Sequence, residues 1–334
     1  MSNASLYDAA TGCAEAAAMA VNATNRGTVV VAGSVNPDYL AVLRTYLTTQ
    51  NLTLREVPAP NGVIDRAALE ATLDDDTAAV IVQSPNFYGL IEDQETLATA
   101  AHARGALYVS CVNPLSVALL AAPGEVGADI ATGDAQPFGV PLQYGGPYAG
   151  FLAAKDSLLR RMPGRIAGAS LDSHGHRAYV LTLQTREQHI KRDKATSNIC
   201  SNHALCATIA TIYLAHQGKA GLRDTATLCV QKAHYAAERI AALPGYSLRF
   251  DGPFFHEFVA RCPRPAAEVA RSLLDQGILG GIPLDGSGSN GSIVARKGGD
   301  GGAELENCLL VCVTEVNSKD DIDQLVTGLE KAAV

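Results

Sequence analysis

Several features are missing from this 334-residue sequence, and each absence excludes a class of function. No apolar run approaches the roughly 20 residues of a membrane-spanning helix, so we expect no membrane segment. A net charge of −8 disfavours a nucleic-acid partner held through its phosphates. The start, Met1 followed by SNASLYD, lacks the basic and apolar blocks of a secretion signal. The eight cysteines include no C-x-x-C pair, so we expect mostly buried thiols without disulfides in a cytoplasmic protein.

The first half of the chain alternates short apolar runs with helical patterns of about ten residues. The predicted strands cover residues 28–32, 54–57, 78–83, 106–111, 129–132 and 150–154. The predicted helices between them cover residues 8–22, 37–48, 65–73 and 96–104. This alternation is typical of βαβ units, so we predict an α/β fold with a mostly parallel sheet.

The pattern changes after about residue 186. Long helices are predicted over residues 202–217 and 225–243, followed by strands over 246–250 and 255–260, a helix over 265–276, a strand over 307–314 and a helix over 319–332. The Gly- and Ser-rich stretch 286–302 predicts a surface loop. We therefore predict a large α/β domain over residues 1–223 and a smaller C-terminal α+β domain over residues 224–334.

The loop between the strands at 129–132 and 150–154 is the best candidate for a ligand site, because ligands bind at the carboxyl ends of strands in such sheets. Its glycines and prolines exclude a helix. It nevertheless contains no nucleophile, histidine or lysine, and Gln136 stands where a reactive side chain would be expected.

Lysine is also missing from the first 154 residues, and the first one is Lys155. An enzyme that uses pyridoxal phosphate binds it covalently through a lysine, which in an aminotransferase-like sheet precedes the glycine-rich loop. Lys155 comes after that loop, at the predicted start of a surface helix. A carboxylate would also be needed at the pyridine nitrogen, and the strand end that could supply it offers Ser110.

Two further stretches could contribute polar groups. Asn86 leaves the end of a buried strand, where it belongs either to a ligand site or to a tight turn. The segment 182–200 is dense in polar side chains, and its Ser197 or Asn198 could cap the following helix. It is either a functional wall or a solvated charged face. The pair His174 and His176 has metal-like spacing but no third ligand nearby, so we expect no metal site there.

Together these stretches resemble glycine decarboxylase, the P-protein of the glycine cleavage system, and within it the alpha-subunit (subunit 1) group. The resemblance is carried, in family order, by residues 3–11, 80–93, 112–120, 143–153, 183–200, 277–284 and 312–323. The most specific stretch is LQTREQHIKRDKATSNIC at residues 183–200.

The resemblance implies an aminotransferase-like fold of the pyridoxal-phosphate type I class. It implies a role in the reaction in which glycine loses CO2 and its aminomethyl group passes to the lipoyl arm of the H-protein. It also implies an α2β2 assembly, in which a beta subunit holds pyridoxal phosphate through a His-Lys-Thr stretch.

The same resemblance assigns positions in this chain. Gln136 stands at the family's lysine position and Ser110 at the position of the aspartate facing the pyridine nitrogen, so no catalytic residue, cofactor-binding residue or metal ligand is expected here. A polar wall near this degenerate site, or facing the partner, is expected from seven residues. These are Asn86, Arg186, His189, Lys194, Thr196, Ser197 and Asn198.

The chain looks N-terminally short, because the family's alpha subunit has roughly a hundred residues before NASLYD, as the resemblance implies. Two alternatives therefore stay open beside the alpha-subunit role. One is a self-sufficient pyridoxal-phosphate transferase that uses Lys194. The other is a non-catalytic scaffold fragment that folds but does not assemble.

Overall fold

A computed structural model describes residues 1–3, 5–143, 145–184, 187–195, 197–199, 203–284 and 304–333. The predicted wall residues Arg186 and Thr196, and the predicted loop 286–302, lie outside the described residues. Among the described residues, no helix is both long and apolar enough to cross a membrane.

A six-stranded sheet forms the larger part of the molecule. Its strands are β1 (Thr28–Ala32), β2 (Thr53–Val57), β3 (Thr77–Gln83), β4 (Leu107–Val112), β5 (Ile130–Asp134) and β6 (Gly150–Ala154). They lie in the order β2-β1-β3-β4-β5-β6, in which β6 runs antiparallel to β5 and the other neighbours are parallel. The mostly parallel sheet and its six strands, predicted from buried apolar runs, are confirmed with boundaries shifted by at most two residues.

Four helices alternate with the first four strands, beginning with a helix. They are α1 (Ala9–Thr24), α2 (Pro37–Thr49), α3 (Arg66–Thr72) and α4 (Gln94–Ala103). Helix α1 begins at Asp8, whose carboxylate accepts a hydrogen bond from the Thr11 amide in a capping box. Its alanines allow it to lie close to the sheet, and a Cβ on Gly12 would approach the Thr132 Oγ1 atom to 2.3 Å. The N-terminus of α1 is thereby fixed beside the carboxyl end of β5.

The segment α6 (Ala204–Ala241) contains the two helices that the sequence predicted, which meet at Gly218. It bends at Gly218, whose φ of 59° and ψ of −172° are not helical. A short helix α5 (Gln188–Lys191) precedes it. The predicted cap at Ser197 or Asn198 is wrong, because α6 begins at Ala204 and its N-cap residue is His203.

The C-terminal part forms a second sheet of four strands, β9 (Ser247–Leu248), β10 (Glu257–Arg261), β11 (Ile282–Pro283) and β12 (Cys308–Cys312), in the order β11-β12-β10-β9. Helices α7 (Ala266–Asp275) and α8 (Lys319–Ala332) and the end of α6 cover it and share its core. The predicted α+β architecture is confirmed. The boundary at residue 223 stays a prediction, and α6 runs through it.

A two-stranded hairpin, β7 (Ile166–Leu171) and β8 (Arg177–Thr182), lies between the two sheets in sequence and was not predicted. Asp172 closes its turn by accepting hydrogen bonds from the amides of His174 and His176, and Gly175 supplies a φ of 79°. The stretch DSHGHR is thus a hairpin turn. The spacing of its two histidines resembles that of metal ligands, whereas Asp172 and Gly175 are the residues typical of a turn.

Candidate functional site at the carboxyl edge of the large sheet

The loop after β5 is held by its own side chains. Asp134, the last residue of β5, accepts hydrogen bonds from the amides of Gln136 at 2.8 Å and Ala149 at 3.2 Å. The Gln136 Nε2 atom donates to the Val140 carbonyl at 2.7 Å. The Gln136 side chain, predicted to stand at the family's lysine position, therefore closes a local turn.

Ser110, the residue predicted at the pyridine-facing position, is also hydrogen-bonded within the protein. Ser110 lies on β4, opposite Ala131 of β5, and is fully buried. Its Oγ atom is 2.5 Å from Oε1 of Gln94, the first residue of α4. A serine hydroxyl carries no charge, so it cannot hold a proton on a pyridine nitrogen as a carboxylate does.

Two carboxylates occupy the N-terminus of α1. Asp8 caps it, and Asp134 accepts a hydrogen bond from the Ala9 amide as well as from its own loop. Burial raises the pKa of Asp134 in spite of these donors, and the Asp8 charge raises it further. A helix N-terminus normally attracts an anion such as phosphate, but here the amides already serve the chain's own carboxylates.

Tyr39 and a thiol pair border the same edge. Burial raises the pKa of the Tyr39 phenol, and the neighbouring Cys111 and Asp134 add to this rise. The Cys111 thiol has a hydrogen bond with Cys13 that, together with burial, raises its pKa well above its ordinary value. Cys111 is therefore a protonated core thiol, in agreement with its apolar sequence context.

Lys155 lies at the opposite edge of the sheet. Because β6 runs antiparallel to β5, the residue after β6 falls beside the start of β5, whereas Gln136 follows its end. The Lys155 Nζ atom is 2.7 Å from Asp129, which also accepts from the Tyr108 amide and contacts His102. Burial alone would raise the pKa of Asp129, but these hydrogen bonds lower it. Lys155 thus stabilises the amino edge of the sheet.

Asn86 serves the folding of its loop. Its Nδ2 atom donates to the Gly62 carbonyl and to Glu92, both at 2.8 Å, and its Oδ1 atom accepts from two loop amides. Glu92 also accepts a hydrogen bond from the buried Ser34 hydroxyl. Each polar atom of Asn86 has a partner within the chain, as the tight-turn alternative requires.

The remaining described residues of the predicted wall are divided between the surface and α1. His189, Lys194 and Asn198 are exposed. Ser197 accepts a hydrogen bond from the Ile199 amide and has another with Glu15 of α1. Ile199 is buried in the core of the large sheet, so this end of the segment is anchored.

Glu15 of α1 is an ionisable residue that the sequence analysis did not identify as a candidate. It is buried within α1, and burial raises its pKa from 4.5 to about 7 although its hydrogen bond with Ser197 acts in the opposite direction. A signal was present, since Glu15 is the only charged residue between Asp8 and Arg26.

Large apolar side chains are exposed close to the predicted wall in sequence. They lie on the loop after β5, the hairpin, α5 and the first half of α6. The residues are Leu142, Leu171, Tyr179, Val180, Leu181, Ile190, Leu205 and Ile212. Exposed apolar groups in such number are typical of an interaction surface.

Comparison with known proteins identifies the family. The family model described as "Glycine cleavage system P-protein" matches residues 1–291. The chain belongs to the glycine cleavage system P-protein family. A protein of Desulfitobacterium hafniense named "Probable glycine dehydrogenase (decarboxylating) subunit 1" is 50% identical over 327 residues, which are 98% of this chain and 70% of that protein. A protein of the same name from Moorella thermoacetica is 50% identical over 98% of this chain and 71% of its own length.

Solved structures agree with the sequence family. The crystal structure of a glycine decarboxylase P-protein in inhibitor-bound form has a TM-score of 0.90 and 37% identity over 99% of this chain and 71% of that one. A NifS-like protein from Rickettsia africae has a TM-score of 0.65 at 12% identity, over 99% of this chain and 81% of its own, and shows the fold alone. The predicted type I fold of pyridoxal-phosphate enzymes is thus confirmed.

The residues at the carboxyl edge of this P-protein chain do not fit pyridoxal phosphate. That cofactor needs a lysine amine, a carboxylate at its pyridine nitrogen and donors for its phosphate. The residues that the sequence predicts at the first two positions are Gln136 and Ser110, and both side chains are hydrogen-bonded within the protein. The α1 amides that could meet a phosphate face Asp8 and Asp134, which would repel it.

Proposed function

We propose that this chain is the alpha subunit of a decarboxylating glycine dehydrogenase, and that pyridoxal phosphate is held by a beta subunit. The observation that carries this proposal is that candidate side chains at the carboxyl edge of the large sheet are hydrogen-bonded within the chain. At the positions that we predict for the lysine and the pyridine-facing carboxylate stand Gln136 and Ser110, both hydrogen-bonded within the chain, although the family and the fold are retained. The chemistry on glycine, and transfer of its aminomethyl group to the lipoylated H-protein, would then belong to the assembly.

The surface of the chain supports a partner. The hairpin is anchored at its base by the buried Ile166, while Leu171 and residues Tyr179 to Leu181 are exposed on its two faces. A two-stranded sheet open to water on both faces is only marginally stable on its own. Covering it with a beta subunit would remove this apolar area from water, and we propose an α2β2 assembly in which it does so.

The exposed members of the predicted wall have a place in this proposal. His189 and Lys194 lie in the same segment as the exposed Ile190, and Asn198 follows them. Polar groups around an apolar centre are the usual anatomy of a protein interface. We therefore assign His189, Lys194 and Asn198 to the rim that faces the partner. The described cysteines form no disulfide, which supports a cytoplasmic location.

The test compares the purified chain with its mixture with a beta subunit. We expect the chain alone to show no protein-bound pyridoxal-phosphate absorbance and no glycine–bicarbonate exchange, and the mixture to show both. Strong absorbance of the chain alone that disappears in Lys194→Ala would refute the proposal and support a self-sufficient transferase. A chain that stays separate from the beta subunit in size-exclusion chromatography would support the scaffold alternative.

A further inference from the structure

The smaller sheet contains a second group of functional-type side chains, far in sequence from the carboxyl edge of the large one. Glu257 begins β10 and Cys312 ends β12, and the two residues face each other directly across these antiparallel strands. Directly opposed side chains lie on the same face of a sheet. His256 immediately precedes Glu257 at a bend, and its backbone carbonyl accepts the Val313 amide at 2.9 Å.

Three different ligand atoms converge at this point. An imidazole nitrogen of His256, a carboxylate oxygen of Glu257 and the sulfur of Cys312 all lie within 4.8 Å of one another. Neighbouring residues of a strand normally point to opposite faces, so the bend before β10 is what allows His256 to join Glu257. Imidazole, carboxylate and thiolate are the three ligand types that zinc takes in proteins.

The His256 imidazole is also incompletely hydrogen-bonded among the described residues. The Nδ1 atom of His256 is buried and has no hydrogen-bond partner among the described residues. Buried polar nitrogens without a partner are rare in native proteins, because each costs about 1–3 kcal/mol. The nearby Glu315 is not a hydrogen-bond partner of this nitrogen. Its carboxylate accepts a hydrogen bond from the Cys229 thiol at 3.2 Å.

The group is accessible from solvent. Glu257 and Cys312 line a cavity of about 370 Å³ between β12, the 277–282 turn and the start of α8. Cys312 is exposed, unlike the other described cysteines. A cation could therefore reach the thiol through this cavity, with the fourth coordination position left to water.

We propose that His256, Glu257 and Cys312 form a binding site for a divalent transition-metal cation of the zinc class. Ligand atoms around tetrahedral zinc are about 3.5 Å apart, given bond lengths of about 2.0–2.3 Å. Since the three ligand atoms lie within 4.8 Å of one another, each pair needs to close by no more than about 1.3 Å. Binding releases the thiol proton to solvent and gives the histidine ring a fixed orientation. This site is independent of the proposed role in glycine decarboxylation.

The test uses the full chain and cobalt(II) as a spectroscopic substitute for zinc. We expect one ion for each chain and a thiolate-to-cobalt charge-transfer band in the near ultraviolet, which zinc abolishes by competition. In Cys312→Ser the band disappears, and in Glu257→Gln the affinity falls by at least about tenfold. Zinc also raises the melting temperature of the wild type, through binding to the folded state, and not that of Cys312→Ser.

The matched control removes the other histidine pair. The double variant His174→Ala and His176→Ala, at the hairpin turn, keeps the band and the affinity because these exposed residues lie outside the site. Absence of the charge-transfer band from the wild type would overturn the proposal. So would a band that persists in Cys312→Ser, or one that disappears in the hairpin control. Since Cys312 is exposed, its replacement leaves the fold intact, and circular dichroism checks this.

Discussion

Glu15 makes the stability of this protein depend on pH in a predictable direction. Its pKa is about 7 in the folded chain, against an ordinary value of 4.5, because burial disfavours the carboxylate. Between these values the unfolded chain releases the proton and the folded chain keeps it. Stability from this group is therefore complete below pH 4.5 and is lost as the pH rises through 7. At about 1.4 kcal/mol for each pKa unit, the full loss is about 3 kcal/mol.

The perturbation is Glu15→Gln, which keeps the shape and a hydrogen-bonding group for Ser197 but cannot ionise. We expect the variant to be more stable than the wild type by about 1 kcal/mol at pH 5 and by about 3 kcal/mol at pH 8. Urea unfolding followed by circular dichroism measures the free energy of unfolding, which suits a chain without tryptophan. Taking the difference between variant and wild type cancels the other groups that titrate in this range.

The control is Glu95→Gln, an exposed glutamate in the first turn of α4, for which the difference should stay within about 0.5 kcal/mol and be independent of pH. A Glu15→Gln difference that is flat between pH 5 and 8 would refute the reasoning. A variant less stable than the wild type at pH 8 would do so too, since it would mean that the buried carboxylate is charged and favourably paired.

Three further predictions concern the site, its supporting loop and the partner surface. Gln136→Lys alone should not create pyridoxal-phosphate absorbance in the isolated chain, because Asp8 and Asp134 still repel the phosphate; a new absorption band on titration would contradict this. Asn86→Ala should lower the free energy of unfolding by about 2–4 kcal/mol in urea, because it leaves two loop amides and Glu92 without their partner. Leu181→Glu should weaken assembly with a beta subunit in analytical ultracentrifugation, while Leu274→Glu, an equally exposed leucine of the smaller part, should not.

The sequence predicted the large sheet well because its inner strands are buried on both faces. Such strands are continuous apolar runs, as at residues 28–32 and 78–83, and the runs are bounded by turn residues. The hairpin was missed for the opposite reason. Strand β8 contains a short apolar run at residues 178–181, but its large side chains are exposed, and the hairpin lies outside the alternation of strands and helices from which the sheet was predicted. The two helices that meet at Gly218 were predicted as separate elements, although the second begins several residues earlier than predicted.

The candidate site could be predicted only in part for a different reason. The missing lysine, with Gln136 and Ser110 in place, was visible from the sequence and its resemblance to the family. The partner of Ser110 was not visible, because it is Gln94 of another element of the fold. The same holds for the convergence of His256 with Cys312, which are separated by more than fifty residues and meet only through strand pairing.

The distribution of hydrogen-bonded groups and exposed apolar groups argues that this chain acts as part of an assembly. At an active site, donors and charges are held for a ligand and remain unpaired within the protein. At the carboxyl edge of this sheet the reverse holds, since Ser110, Gln136 and two amides of the first turn of α1 have partners in the chain. The hairpin, in contrast, exposes large apolar side chains to solvent. A surface of this kind gains free energy only when another protein covers it, so what this chain contributes to the reaction is expected to depend on its assembly.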